Sequence, residues 1–136
     1  MLIRIERGSS KNKSGNSTMM IKVSLYSKRT GTVVIDSCYD GDTCTTTEGE
    51  KIRLACIDTP ELRGSRADPI PAKEARDFLN DLVAGRRVSI RRITTDRYGR
   101  TVAELSIDGV NVQQFMVVNG LASIYERYAD PCPWAQ

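Results

Sequence analysis

The stretch PAKEARDFLNDLVAG, residues 71–85, decides how the chain is read. Ala72, Ala75, Phe78, Leu79, Leu82 and Val83 recur at i, i+3, i+4 and i+7, so they share one face of a helix. Pro71 precedes the first turn, Glu74 and Asp77 lie early, and Gly85 ends the run. On the N-terminal side the pattern is β. GTVVIDSCY (31–39) is one strand, and TCTTT (43–47) and EKIRLACI (50–57) form a hairpin around Glu48-Gly49. Residues 58–71, DTPELRGSRADPIP, are a loop broken by three prolines and a glycine. On the C-terminal side RRVSIRRI (86–93) and TVAELSI (101–107) are strands, the second turning at Asp108-Gly109. A short helix, VNVQQFMVVNG (110–120), then stops at Asn119-Gly120. Three strands, a helix, two strands and a helix predict an α+β, mainly β, domain. The order matches a five-stranded Greek-key barrel of OB type, with its helix between the third and fourth strands.

Composition narrows the function classes. A chain of 136 residues with 40% hydrophobic content is expected to form one domain with a real core. No apolar run approaches a membrane span, and the N-terminus lacks the apolar stretch of a secretory signal, so a soluble chain without a membrane partner is expected. The compartment is not indicated. Residues 1–30 hold seven Lys/Arg and one acid, a balance of +6, whereas the rest of the chain carries −3. A body of that sign argues against simple phosphate coating unless its acids gather where a cation would neutralise them. GSSKNKSGNST (8–18) has no apolar periodicity, and residues 1–19 are expected to be a disordered basic leader. The folded domain is expected over 20–136, opening with a strand in IKVSLYS (21–27), and Met19 or Met20 stands as an alternative start.

There is no histidine, which excludes His-based general bases, Ser-His-Asp triads and His-ligated zinc. Cys38, Cys44, Cys56 and Cys132 form no CxxC pair. A Cys38–Cys44 bridge is geometrically possible, but free thiols are expected, with Cys56 a small buried hydrophobe.

Three polar clusters interrupt or end apolar elements: Asp40-Gly41-Asp42-Thr43, Arg53 with Asp58-Thr59-Pro60-Glu61, and Asp96-Arg97-Tyr98-Gly99-Arg100. Each has a plain explanation as a turn or hairpin loop. Taken singly, CYDGDTC (38–44) is a disulfide-closed turn, a metal loop or a polar connection. Together the clusters supply a different set of parts. Asp42 and Asp58 offer two hard oxygen ligands and a carbonyl beside Asp58 a third, a set suited to Ca²⁺. The spacing does not fit an EF-hand. Two arginines beside a cation can grip a phosphate, and Glu61 can take a proton from an attacking water.

RLACIDTPE (53–61), CYDGDTC (38–44) and DRYGR (96–100) resemble the three signatures of the staphylococcal nuclease family, and GLASIYERY (120–128) resembles the segment after that family's second helix. The resemblance runs from about Thr32 to Tyr128. It implies a Ca²⁺-dependent phosphodiesterase on an OB-fold that acts as a monomer on DNA and RNA, breaking the 5′ P–O bond and leaving 3′-phosphates. By position, Asp42 and Asp58 match the metal carboxylates, Thr59 the carbonyl ligand, and Asp40 an acid acting through water. Arg53 and Arg100 match the arginines on the scissile phosphate, Glu61 the general base, and Tyr98 a phosphate-contacting tyrosine. Tyr125 and Tyr128 match a nucleotide-stacking pair, at a different spacing.

Two departures stand out. LRGSRADPIP (62–71) has no counterpart in the pattern. Family members also continue into a third helix, whereas this chain reaches CPWAQ, where Trp134 either caps apolar surface or is left without a partner. The alternatives to an enzyme are a catalytically silent OB module that only binds nucleic acid or protein, and an inactive fragment. The presence of Asp42, Arg53, Asp58, Glu61 and Arg100 together favours the enzyme.

Overall fold

In a computed structural model, residues 29–136 are described. The leader expected over 1–19 and the strand expected over 21–27 lie outside them. Apart from the first two residues of the first strand, the features that follow fall within one unit, Thr32–Gln136.

Five strands make the barrel: β1 (Thr30–Asp40), β2 (Thr43–Thr46), β3 (Lys51–Leu54), β5 (Arg87–Thr95) and β6 (Thr101–Ile107). They hydrogen-bond in the order β3-β2-β1-β5-β6, and a parallel pairing of β3 with β6 closes the cylinder. Closure pairs the two ends of the sheet with each other, which is how small β domains avoid unpaired backbone groups. Helix α1 (Pro69–Val83) stands between the third and fourth barrel strands in sequence. A short strand, β7 (Val110–Asn111), turns back along β6 and leads into helix α2 (Val112–Val118). The OB-type barrel expected from the order of elements is therefore the observed one.

Alternation fills the interior. Ile35, Ile52, Leu54, Val88, Ile90, Ala103 and Leu105 point inward from the strands, and Ala75, Leu79, Val83, Val112 and Met116 meet them from the helices. Each large aliphatic group buried this way contributes about 1.5–3 kcal/mol. Helix α1 begins earlier than expected, at Pro69, because Pro69 and Pro71 both fall in the first turn, where an N–H has no intrahelical acceptor. Gly85, at φ 75°, turns the chain into β5.

The arm EKIRLACI is not one strand. It breaks at Ala55-Cys56, where Cys56 adopts φ 71°, and β4 (Ile57–Asp58) leaves the barrel to pair with β8 (Ser123–Ile124). The cysteines are not free thiols either. Cys38 bonds to Cys44 across the β1–β2 ladder, and Cys56 bonds to Cys132. The local alternation around Cys56 carried no signal of a partner 76 residues away.

The C-terminal residues fold back as cover. Two 3₁₀ turns, Glu126–Tyr128 and Pro133–Ala135, carry Trp134 onto the core, and its indole N–H donates to Glu104 Oε2 at 2.6 Å. Burial pushes the Glu104 carboxyl up, but bonds from Trp134, Arg91 and Asn111 outweigh it and hold it below the usual range. Trp134 is thus a capping residue with a polar tether. No helix among the described residues is long and apolar enough to cross a membrane.

Candidate metal and phosphate site

At the end of β1 the chain reverses through Asp40-Gly41-Asp42. Asp40 Oδ1 accepts the Asp42 N–H at 3.0 Å, the bond by which an aspartate fixes its own turn. Gly41 is required by space. A Cβ there would come within 2.8 Å of Ala75 Cβ and 2.9 Å of Thr59 Cγ2, so the turn lies against helix α1 and the segment after β4. The Asp42 carbonyl accepts the Leu54 N–H at 2.8 Å and ties the turn to the end of β3.

Asp42 is the most constrained acid of the group, only 8% exposed. Its Oδ1 accepts the Thr43 hydroxyl at 3.1 Å and its Oδ2 the Thr59 hydroxyl at 3.0 Å. Arg53, from the outward face of β3, sends Nη2 to 3.5 Å from Asp42 Oδ2 and 3.9 Å from Asp58 Oδ1, while Nη1 donates to the Leu54 carbonyl at 2.6 Å. Burial pushes the Asp42 carboxyl up to about 6; Arg53 pulls it down and Asp40 adds to the rise. Asp58 is more open, and its Oδ1 accepts the Thr59 N–H at 3.1 Å. The break at Cys56 brings this about, because turning β4 out of the barrel swings Asp58-Thr59 beside the β1–β2 turn.

The structure therefore gathers Asp40, Asp42, Arg53, Asp58 and Thr59 in one corner. Its fit to a cation rests on the donor chemistry. A buried carboxylate that burial pushes up to about 6 and a second carboxylate share one guanidinium, which leaves the corner short of positive charge. Among the described residues no three Asp, Glu, His or Cys side chains converge, so a metal here would take two carboxylates, with carbonyl, hydroxyl and water oxygens completing its shell. That set suits a hard, loosely coordinated ion such as Ca²⁺ and not a metal that needs imidazole or thiolate.

The other expected residues have contacts of their own. Arg100 Nε donates to Asp96 Oδ2 at 2.8 Å, and its guanidinium lies 5.5 Å from the Tyr98 ring centroid. The parallel register places Val102 beside Arg53, so Arg100 precedes β6 two residues before the level of Arg53. Glu61 is exposed at the start of the 61–68 loop, its carbonyl accepting the Asp68 N–H at 2.8 Å. Tyr98 is well exposed, with Arg97 5.0 Å from its ring. Tyr125 and Tyr128 meet edge to face at 4.9 Å, anchored where the Tyr125 N–H donates to the Cys56 carbonyl at 2.8 Å. Sequence reading missed the support around these residues. Glu50 accepts two bonds from Arg92, at 2.8 and 2.6 Å, and one from the Thr101 hydroxyl at 2.8 Å, fixing the strands on either side of the Asp96–Arg100 turn. A charged pair between the residue before β3 and one inside β5 has no local signature.

The family model for staphylococcal nuclease homologues matches residues 51–134. The chain belongs to the staphylococcal nuclease family. An uncharacterized endonuclease of Escherichia coli is 39% identical over 97 residues, 68% of this chain and 60% of that protein. One from Haemophilus influenzae is 34% identical over 114 residues, covering 80% of this chain and 61% of the relative. A staphylococcal-like nuclease of Arabidopsis thaliana is 39% identical over 79 residues, 57% of this chain but 23% of the plant protein. The chain thus spans about 60% of the length of the bacterial relatives it matches.

Proposed function

We propose that the protein is a Ca²⁺-dependent nuclease that hydrolyses phosphodiester bonds of DNA and RNA. The observation that carries this reading is the corner where Arg53 spans the buried Asp42 and the open Asp58. Family membership and relatives named as endonucleases support it.

Asp42 and Asp58 would hold the ion with the Thr59 carbonyl, and Asp40 would act on it through water. When bound, Ca²⁺ supplies charge neutralisation at the phosphate. Arg53, released from its bridging position, holds a non-bridging oxygen of the scissile phosphate. Glu61 accepts a proton from water as that water attacks phosphorus. The P–O5′ bond breaks as the P–O bond to water forms and the departing O5′ takes a proton from solvent, so the products are a 3′-phosphate and a 5′-hydroxyl. Arg100 stabilises charge on the departing oxygen, and Tyr98 contacts the phosphate. Tyr125 and Tyr128 offer aromatic surface to bases, which makes recognition tolerant of sequence. The two disulfides suit an oxidising compartment.

End-group analysis tests the reading. Oligodeoxynucleotides and oligoribonucleotides incubated with the protein and millimolar CaCl₂ should give fragments ending in 3′-phosphate. Binding without cleavage by the folded protein would instead make it a silent OB module.

A further inference from the structure

Ile35 in β1 is held by backbone partners: its carbonyl accepts the Gly85 N–H at 2.8 Å and its N–H donates to the Arg86 carbonyl at 3.0 Å. Three residues on, a side chain takes over. Asn80, inside helix α1, accepts the Cys38 N–H at Oδ1, 2.8 Å, and donates from Nδ2 to the Cys38 carbonyl, 2.9 Å, and to the Arg76 carbonyl, 3.0 Å. One side-chain amide therefore reads both backbone groups of a strand residue, as a neighbouring strand would. Asparagine is a poor choice for a helix interior, and leucine or alanine would serve the helix better. Its bond pattern explains its presence.

The strand residue it holds lies two positions before Asp40 and four before Asp42. Between Cys38 and Asp40 the β1–β2 ladder shifts register, so regular pairing does not carry the alignment of Cys38 through to the turn. Alignment comes from attachments on either side of that irregularity. The base is fixed by Asn80 and by the Cys38–Cys44 bond, and the tip by Gly41 seated on Ala75. Asn80 and Ala75 belong to the same helix, which thus grips the turn at two points.

We propose that Asn80 is a positioning residue that sets the Asp40–Asp42 turn for Ca²⁺. The inference rests on the metal reading above and adds to it a residue that touches neither ion nor phosphate. Removing the amide leaves the Cys38 N–H and carbonyl without their partner and frees the turn to rotate about its disulfide. Supporting groups of this kind typically govern metal affinity by 10- to 100-fold.

The test titrates Ca²⁺ alone into the full chain by calorimetry, for the wild type, Asn80→Ala, Asn80→Ser and Val88→Ala. Val88, buried in β5 and part of neither the turn nor helix α1, is the control for lost stability. Asn80→Ala should weaken Ca²⁺ binding by about tenfold or more. Asn80→Ser, whose hydroxyl can meet one Cys38 group, should lose less, and Val88→Ala should keep the wild-type Kd while melting lower. At saturating Ca²⁺, cleavage by Asn80→Ala should return to within a few-fold of wild type. Should Asn80→Ala not fold, Asn80→Ser carries the same comparison. Wild-type affinity in the folded Asn80 variants overturns the inference and leaves the metal reading standing, as does a loss no larger than that of Val88→Ala. A wild type that binds no Ca²⁺ removes the metal reading and the inference together.

Discussion

Replacing Asp42 by asparagine should make the metal-free protein more stable while destroying its affinity for Ca²⁺. Burial raises the Asp42 carboxyl from 3.8 to about 6 in the fold. Because the folded-state value lies above the unfolded one, the folded state binds more protons between them, and stability falls as pH rises through that window. The full penalty, reached above about pH 6, is about 3 kcal/mol. The amide of the Asp42→Asn variant carries no charge, so the penalty is absent there. Part of the gain is offset because the Thr43 and Thr59 hydroxyls must rotate to suit an amide, leaving about 1–3 kcal/mol at pH 8. Urea unfolding of both proteins in chelated buffer at pH 4.5 and pH 8 isolates the effect, since other titrating groups are common to both. The advantage of Asp42→Asn should grow by about 2 kcal/mol between the two pH values. Added Ca²⁺ should then stabilise the wild type at pH 8 and leave the variant unchanged. A variant less stable than wild type at pH 8, or a difference flat with pH, would refute the reasoning.

The remaining expectations concern the frame around the corner. Gly41→Ala should cost about 1–3 kcal/mol by forcing the turn off Ala75, with loss of Ca²⁺ affinity; equal melting temperatures would show that the turn can yield. Unfolding without reductant should expose none of the four thiols to a thiol reagent. Replacing both Cys56 and Cys132 by serine should cost about 4 kcal/mol for a link spanning 76 residues, and a loss below about 1 kcal/mol would mean that Trp134 holds the C-terminal cover unaided. Glu61→Gln should lower turnover about 10²–10⁴-fold with nucleic-acid binding retained, and a change under tenfold would remove Glu61 from the role of base.

The barrel was legible because its signals are local. The β-branched and apolar runs of GTVVIDSCY and TVAELSI, the helical face from Ala72 to Val83, and Gly85 at its end each act within a few residues of chain. The acids and Arg53 of the corner were legible through the joint presence of three motifs, and the structure brings Asp40, Asp42, Arg53, Asp58 and Thr59 together. What escaped the sequence depends on chain-distant contact. The Cys56–Cys132 bond joins residues 76 apart, and the positive φ at Cys56 that redirects Asp58 is invisible in IRLACI. Trp134 finds Glu104, and Asn80 finds Cys38, only once the barrel has closed.

The most direct measurement of the central claim is cleavage of single-stranded DNA by wild type and Asp42→Ala, each with millimolar CaCl₂ and with EGTA, after circular dichroism has shown both to be folded. The account predicts cleavage by the wild type in Ca²⁺ alone and none by the variant in either condition. Cleavage that survives EGTA, or that a folded Asp42→Ala retains in full, would contradict it.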